Sequence, residues 1–340
     1  MSLSRFLPLL ALLFAGAVEA QQGDLLVVTK QSHALAIVDP VTLTRVGAIP
    51  IGEDPHEVVV APDGRTAYVT NYQDASLDTI QRVDLVTQKQ LEPVSIAPLR
   101  GAHGLFLHGN TLWFTAGGSN AIAALDTATN RVTTVLGTGQ DNTHMVWVSQ
   151  DGQRMAASNA GSGTMSLFVR DTLPAAQHGT TAGWKHTLLP DGLGAEGFAV
   201  APDEKTLWAG NQDGVITVID LESGKVVESF EAGVLGANRL KFTLDGKRVV
   251  VTTHKGKDLV VIDAATHAVV KRIPIEERGA SGIQMEPGGK RVFIACPRDH
   301  IVAVVDLEKL ERVATIDAGR EPDGMTWWER GREQRTENSQ

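Results

Sequence analysis

Three histidines, His56, His103 and His144, stand 47 and 41 residues apart, each as the second residue of a short, mostly apolar segment. At further steps of 52, 42, 43 and 42 residues the same place is taken by Glu196, Asn238, Ser281 and Asp323. Three neutral imidazoles with a carboxylate are a donor set suited to zinc or copper, with one position left open for water or substrate. On that reading His56, His103, His144 and Glu196 are the metal candidates. An enzyme built on them would be a metal-assisted lyase or hydrolase, or a cofactor-dependent oxidoreductase, with Glu196 or Asp323 as general base or further ligand. The same seven polar residues also describe a hydrated pocket mouth that binds a small molecule or a protein, or holds only water. Arg239, directly after Asn238, adds a cation to that mouth.

All of this chemistry depends on elements that bring seven distant residues together. The segments that carry them read PHEVVVAPDG (55–64), AHGLFLHGN (102–110), THMVWVSQDG (143–152), AEGFAVAPDE (195–204), ANRLKFTLDG (237–246), ASGIQMEPGG (280–289) and PDGMTWWERG (322–331). Short apolar runs bounded by Pro, Asp and Gly are strands joined by hairpins. After six of the segments comes a second run: TAYVTN, TLWFTA, RMAASN, TLWAGN, RVVVTT or RVFIAC. Third runs end in Asp at Asp84, Asp126, Asp220, Asp263 and Asp306, with Asp171 as the expected counterpart in the third unit. An aspartate there accepts backbone amides of the following turn. After Asp171 an insertion rich in Thr, Gly and Ala runs over 173–190.

A period in the low forties with four strands per unit predicts a propeller. The last segment lacks its partners, and the N-terminal runs Leu25–Thr29, Ala34–Asp39 and Arg45–Ile51 supply them. The expectation is therefore an all-β, seven-bladed β-propeller of four-stranded antiparallel blades over 21–331, the last blade closed by both chain ends. An open ring would leave an unpaired strand edge. First strands surround the channel, which places the seven polar residues in one ring at its mouth. Two residues further on, Val58, Leu105, Val146, Phe198, Leu240, Ile283 and Met325 form an apolar belt. Lys30, His33, His254, Lys255 and His300 fall in loops on the same face, a mixture suited to a small anionic ligand.

The motif AYVTNY (67–72), the Pro-Asp-Gly turns and the ending Val83-Asp84-Leu85 resemble the YVTN family of β-propeller repeats, of the surface-layer and YncE-like kind. The resemblance covers roughly residues 24–331. It implies the fold and says little of chemistry, since such proteins include surface-layer proteins, periplasmic binding proteins and, more distantly, domains that hold a modified haem or a metal in the channel.

Residues 1–20 carry Arg5, an apolar run Phe6–Val18 and the small-residue site Val18-Glu19-Ala20. These are the parts of a signal peptide, with cleavage expected after Ala20 and the periplasm, or secretion beyond it, as destination. The apolar run is shorter than the roughly 20 residues of a membrane span. No transmembrane segment is expected, and residues 332–340 read as a polar tail. The single cysteine, Cys296, excludes an internal disulfide and a cysteine-based zinc site. A net charge of −9 with interspersed signs argues against nucleic acid as a partner. No GxSxG, HExxH, CxxCH or phosphate-loop motif occurs.

Overall fold

The second strands, exemplified by Thr66–Asn71, are buried along their whole length, whereas fourth strands such as Lys89–Ser95 are mostly exposed. That gradient arises when sheets stand like blades around an axis. Inner strands are covered on both faces by neighbouring sheets, and outer strands meet solvent. A computed structural model, which describes residues 23–174, 180–275 and 278–329, contains seven four-stranded antiparallel sheets in this arrangement. We number the blades 1 to 7 from Pro55. The signal-peptide and tail expectations lie outside the described residues.

Blade 7 pairs Pro322–Glu329 with Gly23–Thr29, followed by Ala34–Asp39 and Thr44–Pro50. The closure is held by registered backbone pairs such as Leu25 with Trp327, and by Trp328, whose Nε1 donates to Gly64 O at 2.8 Å. Trp328 belongs to the apolar cluster between blades 7 and 1, with Leu26, Ile37, Val58 and Val69. Similar clusters fill the other inter-blade gaps, so no blade buries its apolar faces without its neighbours.

The Asp positions work as the sequence suggests. One carboxylate oxygen of Asp39, Asp84, Asp126, Asp263 and Asp306 accepts the amides two and three residues on. Blade 3 is the exception. Its third and fourth strands, Thr164–Pro174 and Thr180–Pro190, form a long hairpin in which Asp171 pairs with Gly183 in mid-ladder. Val169, opposite Arg154, occupies the register that Asp holds elsewhere, because the insertion lengthens the hairpin and leaves no turn there to set.

Candidate functional site

The ring residues sit where the first strand leaves its ladder. Pairing slips between Pro55 and Val58, Ala102 and Leu105, Thr143 and Val146, and Ala237 and Leu240. In each case the ring residue and its successor fall inside the bulge, which turns them from the sheet toward the axis. The penultimate hydroxyl of the second strand fills the gap. Thr70, Thr115, Ser158 and Thr252 accept the amides of Glu57, Gly104, Met145 and Arg239. Each then donates to the ring carbonyl of the next blade, at His103, His144, Glu196 and Ser281, over 2.7–3.1 Å. The Thr of the YVTN tetrapeptide is thus a stitch between blades.

The residue after each ring position decides what enters the tunnel. It is glycine in blades 2, 4, 6 and 7. A Cβ at Gly104 would lie 2.5 Å from His144 O, and Gly197, Gly282 and Gly324 meet the carbonyls of Asn238, Asp323 and His56 in the same way. In blades 1, 3 and 5 it is Glu57, Met145 and Arg239, whose side chains line the tunnel. Arg239 Nη2 reaches Glu57 Oε1 at 3.2 Å from a strand 182 residues away, bridging the channel beneath the ring.

Above that bridge the three histidines meet. Ring centroids of His56 and His103 are 4.7 Å apart and those of His103 and His144 3.9 Å apart, the latter pair tilted by 31°. Tyr72 sets its edge against His56 and His103. The three imidazoles have different charges. His56 lies between Asp54 and Asp323, at 3.2 and 3.3 Å. Burial opposes its charge, but the hydrogen bonds to Asp323 and Asp54 prevail and raise its pKa to about 9. His103 is buried, close to the positive charges of His56 and Arg239, and its pKa falls well below the ordinary value. His144 is lowered to about 3, chiefly by burial and then by Arg239. Its Nδ1 donates to Glu196 O at 3.0 Å, which leaves Nε2 as the acceptor. Burial works against the charge of Asp323, but Lys30, at 3.4 Å, and His56 outweigh it and hold the carboxyl far below the carboxylate range.

On the other side of the mouth the Asn238 amide donates to Glu196 Oε2 and contacts His254 Nδ1. His103 Nδ1, Asn238 Oδ1 and Ser281 Oγ are buried and have no hydrogen-bond partner. All three belong to the ring, and buried polar atoms are rarely left unpaired.

All eight sequence-derived candidates therefore reach the mouth or the bridge below it. Of the metal set His56, His103, His144 and Glu196, two histidines have partners in this arrangement. Both His56 nitrogens face carboxylates, His144 Nδ1 is held by a carbonyl, and the three rings are tilted against one another. Among the described residues no group of three or more His, Cys, Asp or Glu side chains is placed to hold a metal ion. Asp323, held so strongly ionised, is a poor general base at neutral pH. Of the loop residues, Lys30 and His254 reach the ring, His300 Nδ1 accepts the Glu321 amide, and His33 and Lys255 are exposed. Cys296 is wholly buried.

Sequence reasoning missed Glu57, Tyr72 and the glycines. Two columns of the repeat carried the signal. One is the residue after the ring position. The other is the residue after the second strand, where Lys30, Tyr72 and His254 stand.

Comparison with known proteins agrees with this architecture. The family model described as a YNCE-like beta-propeller matches residues 108–285. The chain is 30% identical over 111 residues to a dihydro-heme d1 dehydrogenase of Pseudomonas aeruginosa, a match covering 32% of this chain and 22% of that protein's length. Among solved structures, a functionally unknown protein of Desulfotomaculum acetoxidans superposes with a TM-score of 0.72 at 12% identity, covering 91% of this chain and 99% of the other. A candidate 6-phosphogluconolactonase of Bacteroides uniformis gives 0.70 at 12% identity, covering 90% and 99%. At such identity the likeness concerns the fold alone.

Proposed function

This chain belongs to the YncE-like β-propeller family, and from that premise we propose that it is a periplasmic binding module whose ligand sits at the histidine-rich mouth of the central channel. The observation that carries this reading is the set of three unpartnered buried atoms, His103 Nδ1, Asn238 Oδ1 and Ser281 Oγ. Leaving a buried donor or acceptor unpaired costs about 1–3 kcal/mol. Such a cost at three ring positions is offset when a ligand supplies the missing bonds. The fitting ligand is a small polar molecule that donates to Asn238 and hydrogen-bonds to His103 and Ser281. It packs against the Tyr72–His103 face, with the His56 imidazolium beside it. Native mass spectrometry of the chain, incubated with the small-molecule extract of the cells that make it, tests this. One adduct per chain, lost in His103→Ala and in Asn238→Ala, supports the reading. Bare chains throughout, or an adduct indifferent to both substitutions, contradict it.

A second reading rests on the relative described as a dihydro-heme d1 dehydrogenase. There the ligand is a tetrapyrrole and the chain belongs to an oxidoreductase. The neutral His144 Nε2 and His103 offer nitrogen donors, and Tyr72 and the clustered imidazoles offer aromatic contact. Titration with haemin, read as a shifted absorption band that His144→Ala abolishes, separates this reading from the first.

A further inference from the structure

Below the Arg239–Glu57 bridge the tunnel holds a separate cavity of about 170 Å³. Its wall mixes polar groups with apolar side chains, among them Leu105, Phe198, Leu240, Ile283 and Met325. Two cations and one carboxylate face this space: Arg239, Lys241 and Glu57. Arg239 and Lys241 are two residues apart on one strand, Ala237–Phe242, so both project to the same side, while Leu240 between them packs into the blade interface. Glu57 is engaged by Arg239. Among the described residues no carboxylate or hydrogen-bond acceptor lies within bonding distance of Lys241. Its side chain is exposed to the tunnel space, and partial desolvation by the surrounding strands pushes its pKa below the ordinary lysine range. Gln284 and Thr326 add polar groups to the same space.

We propose that this cavity is an anion site, distinct from the mouth, in which Lys241 and the outer edge of the Arg239 guanidinium hold one small oxyanion of the carboxylate or phosphate class. The net charge of the three facing groups is +1, which a monoanion neutralises. At about 30 Å³ per water, the cavity accommodates such an ion together with a few waters. The bridge above separates the ion from the mouth.

The test is calorimetric titration of the chain with inorganic phosphate and, separately, with acetate, at pH 7 and fixed ionic strength. The expected result is saturable binding of one anion per chain, for one or both probes. Affinity should fall about tenfold or more in Lys241→Met and Lys241→Gln, as befits loss of a charge-assisted bond. Lys241→Arg should retain it, and His103→Ala at the mouth should leave it unchanged. Whichever probe binds sets the class of anion. Absence of saturation with both probes overturns the proposal, as does equal affinity in folded Lys241→Met. Binding lost in His103→Ala would place the anion at the mouth and also overturn it. Failure of the mouth reading does not touch this result, because the Lys241 substitutions that decide it play no part in the test of the mouth.

Discussion

The outer hairpins and the channel mouth are built from the same repeat and behave in opposite ways. At the hairpins nearly every blade uses one device, an aspartate closing a turn over two amides. At the mouth seven equivalent positions carry five residue types, and the residue behind each is a glycine or a tunnel-lining side chain. Repetition marks what the fold requires of each blade. Variation on a repeated backbone marks what the molecule does once, at the axis where all blades contribute. The stitching hydroxyls, found in four blades, stand between the two groups. They hold the ring carbonyls, and the ring side chains are free to differ.

Substitutions can break this contrast, and their sizes should rank accordingly. Gly197→Val is expected to be the most damaging, at about 3 kcal/mol or more of unfolding free energy, because its Cβ would overlap Asn238 O between two backbones. Urea unfolding measures this, and a midpoint equal to wild type would show that the blades do not pack as described. Thr115→Val should cost about 2 kcal/mol, since it removes the acceptor of the Gly104 amide and the donor to His144 O at once.

The mouth should show itself through pH. His103 and His144 are kept neutral in the folded chain and must be neutral to fold. Their share of the stability is complete above an unfolded pKa of about 6.5 and declines as pH falls below it, for His144 as far as about 3. Each tilts stability by about 1.4 kcal/mol per pH unit in that window. His56 has the opposite sign. Its contribution is complete below about 6.5 and is lost as pH rises through about 9. Thermal midpoints across pH 4 to 10 should thus flatten on the acid side in His103→Leu/His144→Leu and on the alkaline side in His56→Gln. An unchanged profile in either variant would remove the electrostatic account of the mouth. The smallest effect is expected of Asp263→Ala, one exposed turn among several alike. Its midpoint should move less than that of Thr115→Val.

The fold was legible because it is periodic. Strand runs, closing aspartates and the shared last blade all follow from residues that recur at fixed spacing. The convergence of His56, His103, His144, Glu196, Asn238, Ser281 and Asp323 followed from the same period. What the ring does once assembled was not legible. Metal coordination by His56, His103, His144 and Glu196 was a fair reading of residue types, but types do not say where ring nitrogens point. Here Asp54 and Asp323 engage both nitrogens of His56, and the Glu196 carbonyl engages Nδ1 of His144. The Arg239–Glu57 bridge joins opposite sides of the channel, and no local pattern announces such a pair. The sequence did mark these positions indirectly, by setting larger residues among four glycines whose missing Cβ lets a neighbouring ring carbonyl approach. Asp171 shows the converse. A residue of the right type near the right spacing was displaced by a hairpin extension that only the register reveals.

The central claim is that one charged and two neutral imidazoles stand together in a polarised mouth. Nitrogen-15 NMR of the histidine rings at pH 7.5 tests it directly, with each signal assigned by substitution. The account predicts a cationic ring for His56 and neutral rings for His103 and His144, the last protonated at Nδ1. A neutral His56, or a cationic His103, would contradict it.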